Sequence, residues 1–385
     1  MSTGWLYFIY PKSNNMEKHF ESRIIKLKQE LECKNIPGLV ILKDANIYYL
    51  TGFYSKDSGS ILAFASDEIY LLVHYIYFEA AKKSVLPKNV KIIKYYQEKY
   101  KKLSEILEGY KIKNIAVEGD NISFVDFSAL KVMLAKVGKN LTSEPGIVEN
   151  LRIVKDEIEL ANIEKACSIS DKVFNQVTAT NSLKIKSFSE IGLAFEMERK
   201  SIKYGSSGKS FNYVIANNSA SSLPHYEAEN KNIKNGILLM DFGCIYNHYC
   251  SDITRTVFIG NFKNSNKIRQ IYDIVSQAQS RAVQSCKAGA STIEIDGIAR
   301  KYIESKGYGD NFGHGLGHGV GLEIHESPRV SYINETILQE NMVITIEPGI
   351  YIENFGGVRI EDMVVIKKNG CQNLYKSSKL YTVIK

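Results

Sequence analysis

The chain has 385 residues, of which 44% are hydrophobic and 24% are charged, so it can form one large or two ordinary globular domains. Its formal net charge of +7 is modest for this length, and the absence of long like-charge blocks gives no indication of a nucleic-acid partner. No apolar run approaches the length of a membrane-spanning helix, and residues 1–15 lack the features of a signal peptide.

The cysteines indicate a reducing compartment. The chain contains six of them, and none belongs to a Cys-x-x-Cys pair: Cys33, Cys167, Cys244, Cys250, Cys286 and Cys371. Three fall in helical patterns, where Cys acts as a small buried hydrophobic residue. We therefore expect reduced thiols in a cytoplasmic protein and no zinc site built from thiolates.

Periodic sequence begins near Met16, so residues 1–15 are predicted to be an extension: a tag, an overlong gene start or an extra arm. Residues 16–150 then alternate between two patterns. Helical periodicity predicts helices at 17–35, 77–84, 97–108 and 124–137. Short apolar runs predict strands at 39–42, 61–64, 69–73, 90–93 and 115–117, with a hairpin across 65–68. This alternation favours a small mixed α/β domain.

The pattern changes near Asn150, and we expect a second domain over 151–385. A long helix is predicted to open at Lys155 and to run to about Val177. The next helix is predicted to begin at Ser187, because Ser187 and Glu190 have capping-box spacing. Further elements are predicted as strands near 211–216, 236–243 and 251–259, helices at 265–287 and 292–306, and then more strands. The order helix, helix, strands therefore occurs twice.

A short internal similarity supports this doubling. Asn235-Gly-Ile-Leu-Leu-Met-Asp241 resembles Asn341-Met-Val-Ile-Thr-Ile-Glu347: each has Asn, an apolar strand and an acid six residues later. Each is followed by a second acid within a strand pattern, at Asp252 and Glu361. Two unrelated buried strands could match by chance, but the shared placement of the acids favours a pseudo-symmetric α+β domain.

A glycine-rich segment from Phe312 to Glu326 contains three of the chain's seven histidines: His314, His318 and His325. Glycine lacks side-chain bulk and allows close backbone approach, so this segment is better suited to presenting imidazoles than to filling a core. A single histidine is usually structural. Three in such a segment, together with nearby acids, favour a ligand site.

Apolar strands that end in acids require an explanation, because a buried carboxylate needs a counter-charge or a proton. Two divalent metals would balance the four carboxylates at Asp241, Asp252, Glu347 and Glu361. One neutral imidazole would complete a donor set suited to Mn²⁺ or Co²⁺. The alternative is that Arg255 and Arg359 pair with these acids individually.

Five motifs in order resemble one known family. They are Met-Asp241-Phe-Gly, Ser-Asp252-Ile-Thr-Arg-Thr, Gly-His318-Gly-Val-Gly, Glu347-Pro-Gly-Ile-Tyr and Val-Arg-Ile-Glu361-Asp. They are similar to the signatures of the pita-bread metallopeptidases, which include methionine aminopeptidase, aminopeptidase P, prolidase and creatinase. The resemblance covers the chain from about residue 150 and implies a C-terminal pita-bread fold with a pseudo-two-fold αβ repeat. The motif Asn46-Ile-Tyr-Tyr-Leu-Thr-Gly-Phe resembles the creatinase/prolidase N-terminal domain.

The resemblance also implies roles for individual residues. The dinuclear metal ligands would be Asp241, Asp252, His318, Glu347 and Glu361. A hydroxide bridging the metals would attack the scissile carbonyl, and Glu347 would accept and relay its proton. His225 and His325 would hydrogen-bond the substrate and the tetrahedral intermediate. Arg329 would bind the free carboxylate of a dipeptide, while Arg359 would support the metal-binding acids and His314 would have a supporting or structural role.

Two motifs depart from the family pattern. The segment Ile215-Ala-Asn-Asn-Ser-Ala-Ser-Ser differs from the usual Gly-x-Asn-Ser-Ala, which affects the expected loop geometry before His225. Val73-His-Tyr-Ile-Tyr replaces the frequent Val-Asp-Gly-Arg-Tyr, so functions of that Asp and Arg do not transfer to this chain.

Within the family, the N-terminal domain disfavours a bacterial-type methionine aminopeptidase, and the intact metal ligands disfavour creatinase. The sequence therefore predicts a cytoplasmic Xaa-Pro dipeptidase (prolidase) that binds two divalent metals, Mn²⁺ or Co²⁺, with Zn²⁺ as a further alternative. Xaa-Pro aminopeptidase activity on longer peptides is the second prediction. A non-catalytic binding protein or another C–N hydrolase on this fold remain as alternatives. The resemblance further implies a homodimer in which the N-terminal domain helps to close the partner's site.

Overall fold

The computed structural model describes residues 14–55, 59–179 and 181–385. The described residues form two compact units, one ending at Arg152 and one beginning at Ile153. The predicted extension, residues 1–15, lies outside the described residues apart from its last two, where the first helix begins. In these described ranges, no helix combines the length and apolar composition needed to cross a bilayer.

The N-terminal unit alternates helices and strands, as the sequence predicts. Its helices are α1 (Asn14–Cys33), α2 (Asp44–Thr51), α3 (Phe78–Lys83), α4 (Lys99–Glu108), α5 (Phe124–Lys136) and α6 (Ile147–Arg152). Its strands are β1 (Gly38–Ile41), β2 (Ile61–Ala65), β3 (Glu68–His74), β4 (Val90–Tyr95), β5 (Asn114–Val117) and β6 (Asn140–Ser143). They form one mixed sheet in the order β4-β3-β2-β1-β5-β6.

The predicted hairpin is confirmed, because β2 and β3 pair antiparallel with Ala65 opposite Glu68. Strands β1 and β2 are buried along their whole length, which explains why both appear in the sequence as continuous apolar runs. Helix α2 escaped prediction because residues Asn46 to Thr51 are all buried. A helix buried on every side lacks the periodic polar face on which sequence-based prediction depends.

The C-terminal unit is larger and contains five described helices. These are α7 (Glu157–Thr178), α8 (Ser182–Lys186), α9 (Glu190–Lys203), α10 (Ser265–Ser285) and α11 (Thr292–Ser305). The strands up to residue 259 are β7 (Gly208–Lys209), β8 (Val214–Asn217), β9 (Gly236–Phe242), β10 (Cys244–Tyr246), β11 (Tyr249–Cys250) and β12 (Ile253–Ile259). The later strands are β13 (Gly317–Gly319), β14 (Glu326–Val330), β15 (Val343–Ile346), β16 (Gly349–Ile352), β17 (Gly356–Arg359), β18 (Asp362–Lys367), β19 (Gly370–Asn373) and β20 (Val383–Ile384).

The predicted start of the second helix is wrong. Ser187 follows the short helix α8, and its hydroxyl donates to the Lys184 carbonyl. Helix α9 is capped instead by Ser189, whose hydroxyl accepts from the N–H of Gly192. The Glu190 carboxylate is not free for a capping box, because it accepts hydrogen bonds from the Asn217 N–H and from other groups of the segment 217–229.

The sheets of this unit reproduce the predicted doubling. After α7 and α9, β9 pairs antiparallel with β12 in a sheet of order β20-β12-β9-β8. After α10 and α11, β15 pairs antiparallel with β18 in a sheet of order β14-β13-β15-β18-β19. One large core cluster joins the buried faces of α10 and α11 to the second of these sheets. Full burial of each Ile or Val in it stabilises the fold by about 1.5–3 kcal/mol.

Candidate metal centre

Two of the acids lie at the same end of the first strand pair. Asp241 is the penultimate residue of β9, and Asp252 directly precedes β12. The register places Asp241 opposite Thr254, two residues beyond Asp252. Antiparallel pairing therefore brings two carboxylates together that are eleven residues apart in the sequence.

The second strand pair repeats this arrangement. Glu347 directly follows β15, and Glu361 directly precedes β18. The register pairs Ile346 with Asp362, so the two glutamates also lie at one end of their strands. The backbone N–H of Glu361 donates to the carbonyl of Thr254 in the first pair, at 3.1 Å. This contact links the two halves where their acids lie.

The glycines around His318 allow the close backbone approach that the sequence predicts. A Cβ on Gly317 would lie 2.0 Å from the Thr345 carbonyl oxygen, and one on Gly319 would lie 2.3 Å from that of Ser327. A Cβ on Gly321 would lie 2.6 Å from a Glu326 carboxylate oxygen. Because real Cβ atoms do not approach so closely, only glycine lets β13 fit between β14 and β15.

Gly317→Ala is expected to separate β13 from β15 and to destabilise the protein by roughly 1–3 kcal/mol, as overpacking does. Gly313→Ala is the matched control, because a Cβ there meets nothing within 4 Å. Thermal unfolding of the two metal-free variants measures the difference. Equal melting temperatures would contradict the steric role assigned to Gly317.

Three donor side chains from different elements converge. Donor atoms of Asp252, His318 and Glu361 all lie within 4.8 Å of one another. The Nε2 atom of His318 lies 3.5 Å from an Asp252 oxygen and 3.4 Å from a Glu347 oxygen. The opposite ring nitrogen, Nδ1, lies 3.0 Å from the Gly319 carbonyl oxygen. That contact orients the ring so that Nε2 faces the acids.

Two threonines support the donors, and neither was predicted from the sequence. The Thr345 hydroxyl accepts from the N–H of His318 and donates to Glu347 at 3.2 Å. The Thr254 hydroxyl donates to Glu361 at 2.6 Å. Each threonine lies in a strand two residues from an acid, and this spacing could have indicated that the two side chains share one face. Threonine in a strand is so common that this signal carries little weight alone.

Three of the acids, Asp252, Glu347 and Glu361, have raised pKa values, because burial and crowding disfavour their charged forms. Burial, together with neighbouring carboxylates, raises the pKa of Asp252 and of Glu361 well above the ordinary range. Burial also raises the pKa of Glu347 to about 8. Burial lowers the pKa of His318 to about 4, so this imidazole is neutral at pH 7. A neutral imidazole beside carboxylates is the state in which these side chains bind metals.

Two orphaned oxygens test whether the residues fit metal ions. Asp241 Oδ1 and Glu361 Oε1 are buried and have no hydrogen-bond partner among the described residues. Buried polar atoms without partners are rare in native proteins. A set of hard carboxylate oxygens with one imidazole nitrogen suits divalent metals. The residues therefore fit the metal site that the sequence predicts.

The alternative of isolated arginine pairs accounts for one acid. Arg359 donates to Asp241 Oδ2 at 2.6 Å, to Thr254 and to the Tyr351 hydroxyl. Arg255 instead pairs with Asp362 at 2.7 Å, outside the cluster. One guanidinium therefore faces four carboxyl groups, so the other three need protons or metal ions to balance their charge.

Three further predicted residues, His325, Arg329 and His225, are exposed. His325 is exposed, and its ring contacts that of His318 edge-on at 4.4 Å. Arg329 is exposed and is the register partner of His318. His225 is also exposed, and the carbonyl of the preceding Pro224 accepts from Arg359 at 3.4 Å. The exposed polar side chains lie where a substrate could reach them.

His314 lies apart from the donor cluster. Its Nδ1 is 2.7 Å from the Gly315 carbonyl oxygen, and its Nε2 is 3.0 Å from the Tyr351 hydroxyl. Tyr351 in turn accepts from Arg359, which binds Asp241. Tyr351 stands in the Glu347-Pro-Gly-Ile-Tyr motif, but no role for it was predicted from the sequence. His314 is thus connected to Asp241 through Tyr351 and Arg359.

Comparison with known families gives two matches. The pattern of the creatinase/prolidase N-terminal domain matches residues 23–154, and that of metallopeptidase family M24 matches residues 161–368. Among curated proteins, the Xaa-Pro dipeptidase of Pyrococcus furiosus is 39% identical over 362 residues, which cover 93% of this chain and 99% of that protein.

Solved structures agree with the sequence matches. An Xaa-Pro dipeptidase from Bacillus anthracis superposes with a TM-score of 0.86 at 31% identity, covering 94% of this chain and 99% of its own. An X-Pro aminopeptidase from Thermotoga maritima has a TM-score of 0.81 at 32% identity, covering 92% and 100% respectively. Both units match family models, and the acids and His318 lie where the family motifs predict. This chain therefore belongs to metallopeptidase family M24.

Proposed function

We propose that the protein is a metal-dependent Xaa-Pro dipeptidase that hydrolyses the bond preceding proline in dipeptides. The observation that carries this proposal is the convergence of Asp252, Glu347 and Glu361 on the His318 imidazole, with buried oxygens of Asp241 and Glu361 left without a partner among the described residues. Similarity to the Xaa-Pro dipeptidases of Pyrococcus furiosus and Pyrococcus horikoshii, at 39% and 38% identity, supports the substrate class.

The proposed ligands are Asp241, Asp252, His318, Glu347 and Glu361, which would hold two divalent ions. The oxygen-rich donor set favours Mn²⁺ or Co²⁺, with Zn²⁺ as the other alternative. When bound, such ions supply an activated water and polarise the scissile carbonyl.

The protein's own residues would orient the substrate and move the proton. Glu347 is proposed to accept a proton from the attacking water and to pass it to the leaving proline nitrogen. His325 and His225 are proposed to hydrogen-bond the scissile carbonyl and the developing negative charge on its oxygen. Their exposure and the 4.4 Å separation between the rings of His318 and His325 support this placement.

Arg329 is proposed to bind the free carboxylate of the dipeptide. It is exposed and cationic, and its backbone pairs with that of His318. A guanidinium can bind a carboxylate through two parallel hydrogen bonds, which favours short substrates with a nearby C-terminus. Arg359 is not available for this role, because it is buried and bonded to Asp241.

Xaa-Pro aminopeptidase activity is the second candidate, because the Thermotoga maritima X-Pro aminopeptidase has the same fold with a TM-score of 0.81. The deciding assay compares Gly-Pro and Ala-Pro with longer Xaa-Pro peptides, using Mn²⁺ or Co²⁺ and then a chelator. We expect hydrolysis of the dipeptides that chelation abolishes. Preference for longer peptides would favour the aminopeptidase, and failure on both would favour another C–N hydrolase. Failure to bind metal would favour a binding protein.

We further propose that the protein is a cytoplasmic homodimer. Family resemblance supports a homodimer, which sedimentation of the purified protein would test. All six cysteines are free, and this supports a reducing, cytoplasmic environment.

A further inference from the structure

The backbone that leads to His318 is held by an ion pair from a neighbouring helix. On α11, Asp296 and Arg300 are four residues apart and make two parallel hydrogen bonds, of 2.7 and 2.9 Å. The Asp296 side chain is completely buried, and that of Arg300 is 23% exposed. Neither residue contributes to the donor cluster.

This pair contacts every second residue of the segment 312–316, which precedes β13 and belongs to no strand. Arg300 donates to the carbonyls of Phe312 at 2.9 Å and His314 at 2.8 Å. The N–H of Leu316 donates to Asp296 at 3.1 Å. A spacing of two residues is that of one edge of an extended chain. The side chains of Asp296 and Arg300 thus occupy the place of a neighbouring strand.

The segment 312–316 is connected to two proposed metal ligands, Glu347 and His318. The carbonyl of Leu316 accepts from the backbone N–H of Glu347 at 2.8 Å. His318 follows two residues later, and its N–H is bound to Thr345. Leu316 is therefore bound to the ion pair through its N–H and to Glu347 through its carbonyl.

Arg300 also contacts two aromatic rings. Its guanidinium lies 4.3 Å from the centroid of the Phe312 ring and 4.6 Å from that of Tyr332. Cation–π contact with both rings favours one placement of the guanidinium. A lysine could replace the charge, but it could not reproduce the fork that binds Asp296 and two carbonyls together.

We propose that Asp296 and Arg300 are positioning residues, which hold the segment 312–316 so that the His318 imidazole and the Glu347 carboxylate stand at the separation that metal binding requires. The inference rests on the proposed function, since it assigns these two side chains to the metal site. Loss of the pair lets the segment shift, and sub-ångström placement of ligands determines affinity.

The test compares Arg300→Gln, Arg300→Lys and Asp296→Asn with Arg199→Gln. Arg199 is the matched control because it also makes a two-point contact with an acid, Glu196, at 2.8 and 2.9 Å on the exposed side of α9. Purified metal-free proteins would be titrated with Co²⁺ against a chromogenic chelator. The visible spectrum of bound Co²⁺, the melting temperature, and kcat and KM on Ala-Pro would be recorded.

We expect Arg300→Gln to weaken Co²⁺ affinity by roughly ten- to hundredfold, the range for residues that support a metal ligand. The Co²⁺ spectrum should change, kcat at saturating metal should fall about tenfold, and KM should change by less than about twofold. Arg300→Lys and Asp296→Asn should show smaller changes of the same kind, and Arg199→Gln none.

A role confined to fold stability predicts another result: lower melting temperatures with wild-type affinity, spectrum and kcat. That result for Arg300→Lys and Asp296→Asn would overturn the proposal, and these milder variants decide the matter if Arg300→Gln fails to fold. Wild-type protein that binds no metal would overturn the proposed function itself. Normal wild-type binding with unchanged variants would overturn only the positioning role.

Discussion

His318→Ala is expected to abolish metal binding and peptidase activity together. Its Nε2 atom lies 3.4 Å from a Glu347 oxygen and 3.5 Å from an Asp252 oxygen, so the variant removes the nitrogen donor that faces these acids. The loss should exceed the ten- to hundredfold typical of residues that only support a ligand. Metal content after dialysis and kcat/KM on Ala-Pro measure it.

His314→Ala is the matched control for this variant, because both histidines lie in the same glycine-rich segment. His314 contacts Tyr351 and Gly315 rather than the acids, so this variant should retain metal and lose at most about tenfold in activity.

Melting temperatures add a second measurement. Metal stabilises the native state by mass action, so a chelator should lower the melting temperature of the wild-type protein and of His314→Ala. It should leave that of His318→Ala unchanged. A His318→Ala protein with stoichiometric metal and near-normal activity would contradict the assigned ligand set.

Glu347→Gln is expected to reduce kcat by about 10²–10⁴-fold, the contribution of a positioned general base. Glutamine preserves the shape of the side chain and an oxygen that can accept from Thr345. It removes the negative charge and the proton-accepting ability. Glu353→Gln, an exposed acid six residues later, is the control and should be neutral.

Glu347→Gln should lower activity but raise the folding stability of the metal-free protein. Burial raises the pKa of Glu347 from its ordinary value of 4.5 to about 8. Between these values the folded state holds a proton that the unfolded state has released, so folding stability falls as pH rises. Glutamine does not titrate, so metal-free Glu347→Gln should be more stable than wild type by a margin that grows from pH 5 to 8. Urea denaturation at several pH values measures it. A margin that shrinks with pH would contradict this assignment.

The sequence predicted the strands better than the helix starts. The acids at the ends of β9 and β15 stood out because a carboxylate that follows a buried, mainly apolar strand is costly unless something balances its charge. The cap at Ser187 was predicted wrongly because Ser189 offers the same chemistry two residues later. The choice depended on Glu190, whose carboxylate binds Asn217, far along the chain.

The two arginines illustrate a similar limit. Arg255 and Arg359 are both close to acids in the sequence, and both were considered as partners. In the fold, Arg255 binds Asp362 while Arg359 binds Asp241, 118 residues away. Each pairing depends on which strands are neighbours, and local sequence does not specify that.

By itself, the sequence predicted acids and an imidazole as donors and the strands that carry them, because burial of apolar runs and the cost of isolated charge act locally. It also determined the doubled order of helices and strands. Motif resemblance pointed to His318, and the tertiary structure supplied the physical reason: strand register, the Thr345 hydroxyl and the Gly319 carbonyl orient this ring toward the acids. The tertiary structure likewise revealed the Asp296–Arg300 pair, because hydrogen bonds to backbone atoms of a distant segment leave no pattern in the sequence.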